Sequence, residues 1–327
     1  MSRRWLIILG VALCLTACKK DADSTTPTPQ AVSAPLLGET VVKKTDPGSV
    51  EVKVADPGAE PRRALRYKYR ADMTDAMVME LIMRMSMEFG GNSVPEIRIP
   101  PVRATLAISD TSLTPSGNLR YTGTWTETTV VADPDTPRQM VEALEAEYKT
   151  LTGLVVKAEV TPRGVVEEIA VTLPKGASQQ SKQLFESMEQ ALRQIMSPLP
   201  EEPVGVGASW TVAMKVETQA LTVTQEATYR LTGADGDELK IDVDITQTAP
   251  PQDMAPPGLP AGAKVHLDRL DSTGKGKMAV NLGTLVPRVE MTLSSDMAMT
   301  VDAEGERQAM KMTMGIDAKM GPAGPKP

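Results

Sequence analysis

Aromatic residues make up only 3% of this 327-residue chain, and there is a single histidine, His266, and two cysteines, Cys14 and Cys18. Each scarcity removes options. Ser-His-acid catalysis would have to use His266, which sits in a strand-like Val265-His266-Leu267-Asp268 run, and no Gly-X-Ser-X-Gly turn occurs. A zinc enzyme would need about three protein ligands, usually with several imidazoles. With two Phe and three Trp, the core must be filled by aliphatic residues and by 20 Met.

Both cysteines fall near the N-terminus. Arg3 and Arg4 precede a short apolar run, Trp5 to Leu13, followed by Leu15-Thr16-Ala17-Cys18. A charged start, an apolar stretch too short to span a bilayer and small residues before a cut site mark a secretory signal over residues 1–17. The four-residue end resembles a bacterial lipobox, in which Cys18 is acylated and becomes the mature N-terminus. Cys14 would leave with the signal, so the mature protein would fold without thiol or disulfide. Loss of Arg3 and Arg4 takes the net charge from −7 to −9. That argues against nucleic acid as a partner and against electrostatic attachment to anionic headgroups. The membrane is expected to be met through lipid alone. Lys19, where some bacteria place a retention-signalling Asp, resembles outer-membrane sorting.

Residues 18–60 read as the lipidated cysteine and a Pro/Thr-rich tether with two Asp-Pro-Gly turns, at 46–48 and 56–58. Within it, Glu51–Val54 alternates and is an alternative short strand. Residues 61–320 read as one domain of mainly antiparallel strands, and 321–327 as an unstructured tail. Period-two alternation appears at 64–69, 74–89, 102–109, 119–131, 155–161, 165–172, 209–217, 221–231, 238–248, 264–282, 286–301 and 307–320. Helical spacing appears twice. One segment follows Asp135-Thr136-Pro137, with Met140, Leu144, Tyr148 and Leu151 as its stripe; the other runs over about 178–196. The expected fold is therefore mainly β: a curved antiparallel sheet or open half-barrel of about a dozen strands with two amphipathic helices inserted mid-chain.

Gly274-Lys275-Gly276-Lys277 lacks the strand–loop–helix context and Gly-Lys-Ser/Thr ending of a phosphate loop, and is expected to be a hairpin turn. Carboxylate pairs such as Asp242/Asp244 and Glu167/Glu168 read as wet faces, so no glycosidase site stands out. No enzyme is expected, and no cofactor.

Methionine is the positive feature. Met77, Met79, Met83 and Met85 share one face of a strand; Met291 and Met299 lie in a second strand, and Met310, Met312 and Met314 in a third. Three readings compete. The face is buried under the helices; or it lines a cavity for an acyl chain or other hydrophobic small molecule, with Leu184, Met188 and Ile195 as lid; or its thioethers bind Cu(I). Against copper, same-face neighbours lie about 6.6 Å apart along a strand, and no His or Cys is nearby.

Pro198–Trp210, Leu65-Arg66-Tyr67 and Ser272–Gly276 together resemble an uncharacterised family of bacterial lipoproteins of myxobacterial type, over about residues 60–320. That resemblance implies a location and no activity. The arrangement of strands and helices is similar to the LolA/LolB group of lipoprotein carriers, half-barrels that hold acyl chains. The functional expectation is a non-enzymatic envelope lipoprotein binding lipid, with a scaffold that binds an envelope protein partner as the alternative.

Overall fold

The computed structural model describes residues 37–44, 50–132, 136–174, 198–217, 221–254, 264–303 and 306–324. Fourteen strands form one antiparallel sheet: β1 (Leu37–Lys44), β2 (Val50–Asp56), β3 (Asp75–Phe89), β4 (Asn92–Leu113), β5 (Leu119–Val130), β6 (Val155–Val160), β7 (Val166–Pro174), β8 (Ser209–Glu217), β9 (Thr222–Asp235), β10 (Glu238–Ala249), β11 (Gln252–Met254), β12 (Lys264–Asn281), β13 (Arg288–Ala303) and β14 (Glu306–Pro322). One helix, α1 (Arg138–Lys149), lies among the described residues. The mainly β, open, antiparallel architecture is the one the alternation predicts. The segment expected to form a second helix, 178–196, lies outside the described residues.

The order across the sheet is β1-β7-β6-β5-β4-β3-β14-β13-β12-β10-β9-β8-β2, with β11 pairing only with the start of β12. Two features follow. The last strand, β14, sits mid-sheet between β3 and β13. The two outermost strands are consecutive in sequence. Six peptide links from Lys44 to Val50 reach at most about 21 Å, whereas twelve strand spacings laid flat would cover about 58 Å. The sheet is therefore curled, its two edges drawn together without pairing. Residues 37–44 and 50–56 belong to the sheet, which corrects the reading of 18–60 as tether throughout and bears out its alternative, the short strand at Glu51–Val54, as part of β2. The Asp-Pro-Gly turns hide this, because their turn formers dominate the local composition.

Core residues form two large clusters on the inner face. One gathers Trp210, Leu231, Leu239, Ile241 and Val280 from the β8–β13 side. The other gathers Leu106, Trp125, Leu154, Val156 and Val171 from β4–β7. Tyr69 and Met320 pack against both. A third, smaller cluster of Val265, Leu267, Leu270, Met299 and Val301 lies at the far end of β12 and β13.

The two halves are cross-tied by irregular segments. Residues 57–68 cross 198–208: Gly205 N donates to Pro57 O at 2.9 Å, Ala59 N to Val206 O at 2.9 Å, and Arg63 N and Val204 N to each other's carbonyls at 3.1 and 3.0 Å. Arg66 Nη1 and Nη2 donate to the Pro200 and Glu201 carbonyls, both at 2.9 Å. Tyr67 N reaches Pro162 O at 2.8 Å and Lys68 N reaches Leu282 O at 2.6 Å. Residues 64–69 are thus not the strand their alternation suggests. Leu65 and Tyr67 are buried and Lys68 is exposed because the segment threads between two walls. The crossing demands glycine. A Cβ on Gly205 would stand 1.8 Å from Ala59 O, and one on Gly58 (φ +75°) would stand 2.4 Å from Gly205 O.

Three further differences have local causes. β4 begins ten residues before the alternation at Val102, because prolines interrupt the pattern. The strand carries Pro95 and the Pro100–Pro101 pair in two bulges, where pairing with β3 skips a residue and no ladder donor is required. Gly274 and Gly276 are mid-strand in β12, not a hairpin; a Cβ on Gly274 would meet Leu293 Cδ1 at 2.9 Å. β14 continues to Pro322, into the expected tail, and Ala323 N donates to Ala76 O at 2.6 Å.

Candidate functional site

Alternation puts every second residue of β3, β14 and β13 on the inner face, and the pairing register decides which methionines meet. Met79 stands opposite Met320, Met85 opposite Met314 and Met87 opposite Met312. Across the other side of β14, Met312 stands opposite Met297 and Met310 opposite Met299. Three stripes scattered over more than 230 residues of sequence thus become one continuous field on adjacent strands.

The field is not uniform along its length. At one end Met77, 5% exposed, is part of the β4–β7 cluster and Met79 packs against it, while Met291 packs against the β8–β13 cluster. At the other end Met299, 6% exposed, belongs to the third cluster, with Met297, Met310, Met312 and Phe89 packed on it. Between them lie Met83, Met85, Met314 and Ile316, with Ile97 and Ile99 of β4 opposite Met85 and Met83. All six are half-buried and none belongs to the three clusters. Of the residues singled out from sequence, Cys18, Leu184, Met188 and Ile195 lie outside the described residues. Ile97, Ile99, Ile316 and Met297 belong to the field and were not among the candidates. Ile97 and Ile99 carry a short alternation, Glu-Ile-Arg-Ile, that the flanking prolines obscure.

The inner face also carries a polar row on its β8–β13 side. Gln247 Nε2 donates to Gln225 Oε1 at 2.6 Å, Gln225 Nε2 lies 3.8 Å from Met214 Sδ, and Ser272 Oγ donates to Ser295 Oγ at 2.8 Å. Gln225, Ser272 and Ser295 are buried, and each has a partner, as burial requires.

A groove of about 730 Å³ opens on the opposite, polar face of the same strands. Arg84, Asp244, Thr273, Lys275, Ser294 and Asp317 contribute to its lining. Arg84 Nη2 donates to Asp317 Oδ2 at 2.7 Å, which neutralises the pair across β3 and β14. His266 lies apart, its Nδ1 2.7 Å from the exposed carboxylate of Asp253.

Deep between the halves, Tyr67 and Tyr69 stack with centroids 5.5 Å apart and ring planes 1° apart. Burial raises both phenol pKa values well above the ordinary tyrosine range, and each also feels a neighbouring phenol. Tyr121 is pushed up to about 12 by burial alone. Among the described residues neither the Tyr67 nor the Tyr69 hydroxyl has a hydrogen-bond partner.

Residues 174–285 match a family of unknown function (DUF6263), about a third of the chain. That span holds the crossing motif 198–208 and strands β8–β12, so the similarity covers the structural hub and stops short of the methionine field on β3, β4, β13 and β14. No curated protein matches the chain.

Proposed function

We propose that the protein is a non-enzymatic, lipid-anchored envelope lipoprotein of the outer membrane that holds an acyl chain or similar apolar ligand against its methionine field. One observation carries the reading. Met83, Met85, Ile97, Ile99, Met314 and Ile316 form an apolar band on the inner face of a curled sheet, yet belong to none of its cores. Unbranched thioethers adapt to chains of differing shape, and a curled, unclosed sheet gives such a chain a way in. The likeness of the strand arrangement to the lipoprotein carriers points the same way, by analogy.

The test is native mass spectrometry of the chain from Lys19 onward, secreted from a cleavable leader so that its own acyl groups do not count. Co-purifying lipid is expected, and its loss in a Met85→Lys/Met314→Lys variant that keeps native tryptophan emission. A ligand-free protein that also fails to take up a fluorescent fatty acid would refute the proposal. A single stoichiometric protein partner in its place would favour the scaffold alternative.

A further inference from the structure

The pairing register removes the geometric objection to a thioether metal site. Spacing along one strand separates same-face sulfurs too widely, but Met297 faces Met312 and Met299 faces Met310 in two successive same-face rows. Directly opposed Cβ atoms lie about 5 Å apart, and successive rows about 6.6 Å. The four Cβ atoms therefore mark a rectangle whose centre is about 4 Å from each corner. A methionine sulfur sits two bonds beyond Cβ on freely rotating torsions, so all four thioethers can turn toward one point above that centre.

The surroundings select the ion. Val265, Leu267, Leu270 and Val301 flank the quartet on the same face as apolar neighbours, with Met299 buried among them and Met297, Met310 and Met312 half-buried and packed against them. Among the described residues no group of three or more His, Cys, Asp or Glu that could hold a metal ion is found. A hard divalent cation would lose its water and gain no charged oxygen ligand. A soft monovalent ion is the match for neutral sulfur. We infer that Met297, Met299, Met310 and Met312 form a binding site for a soft monovalent metal ion, Cu(I) or its redox-inert analogue Ag(I). This site lies beyond the apolar band of the preceding section and does not depend on lipid binding.

The experiment is Ag(I) calorimetry, with anaerobic Cu(I) competition against a chromogenic chelator. It uses the full chain in mild detergent with Cys14→Ser and Cys18→Ser, which removes both thiols. One equivalent bound more tightly than micromolar is expected. Met312→Leu should weaken binding by a factor on the order of ten or more, and Met297→Leu/Met312→Leu should abolish it. The control Met83→Leu/Met85→Leu, from the same field but outside the quartet, should bind as the parent does. Unchanged tryptophan emission in each variant shows that the fold survives. Binding weaker than micromolar, or equal loss in the control and the quartet variant, would overturn the inference.

Discussion

Replacing Gly205 by alanine should be among the most damaging single-methyl additions to this protein. The new Cβ would lie 1.8 Å from Ala59 O and 2.9 Å from Ala59 C, with Pro61 O at 3.2 Å. These are backbone atoms, so no side chain can rotate away. Relief requires the 57–63 segment to lift off 204–208, which weakens the 2.9 Å bonds Gly205 N–Pro57 O and Ala59 N–Val206 O. Overpacking costs about 1–3 kcal/mol and two weakened hydrogen bonds add about 1 kcal/mol each. The total, about 3–5 kcal/mol, corresponds to a fall in Tm of about 10 °C for a domain of this size. Gly207 is the control. It sits two residues on with φ +91° and nothing within 4 Å of an added Cβ. Gly207→Ala therefore meets only left-handed backbone strain, about 1 kcal/mol. Thermal unfolding followed by tryptophan emission measures both. Trp125 and Trp210 report one large cluster each. Equal losses for the two variants would show that the crossing does not have the tightness described.

Alkaline stability should track the buried phenols. Their folded pKa values are raised, so their contribution is complete below pH 10, the ordinary tyrosine value, and is lost as pH climbs from there toward about 12, the Tyr121 value. Phenolate absorbance should accordingly rise together with loss of tryptophan emission, and a smooth titration near pH 10 of a still-folded protein would contradict this. Tyr69→Phe removes a buried hydroxyl that has no partner among the described residues; urea unfolding should find it neutral or stabilised by up to about 1 kcal/mol, and a clear loss would mean that the hydroxyl is satisfied. Ending the chain at Ala303 deletes β14 and leaves β3 and β13 as unpaired edges mid-sheet. Such a chain should aggregate on refolding, by light scattering, while removal of 325–327 alone should have no effect.

Local pattern made much of this fold legible. β10 alternates exposed and buried residues along most of its length, as its sequence suggests. The turn at 161–164 also matches expectation, closed by Gly164 N to Thr161 O at 2.8 Å with Gly164 at φ +79°. What sequence pattern could not supply was non-local. The stripes of β3, β13 and β14 are readable one by one, but their register depends on pairing residues as distant as Arg84 and Asp317. Without that register Met297 and Met312 look unrelated, and copper looks geometrically excluded. Elsewhere two effects competed with local preference. Prolines concealed the start of β4 by occupying bulges, and Gly274 and Gly276 look like a turn although their role is to make room for Leu293 and Met291.

The placement of β1 and β2 on opposite edges has a mechanical meaning. Any tension applied to the chain upstream of residue 37 enters the domain at β1, held to β7 through Thr40–Lys44 against Glu168–Thr172. Only when that strand has come away does the load pass along the short link to β2 on the other edge, where Val50–Val54 grips Met214–Trp210. The curled sheet is thus fastened by two latches in series, and the first can open while β8, β9 and the central strands stay paired. Under the proposed lipid anchorage, a pull on the N-terminus would spend β1 before the core, and the strand would refasten when the strain passed.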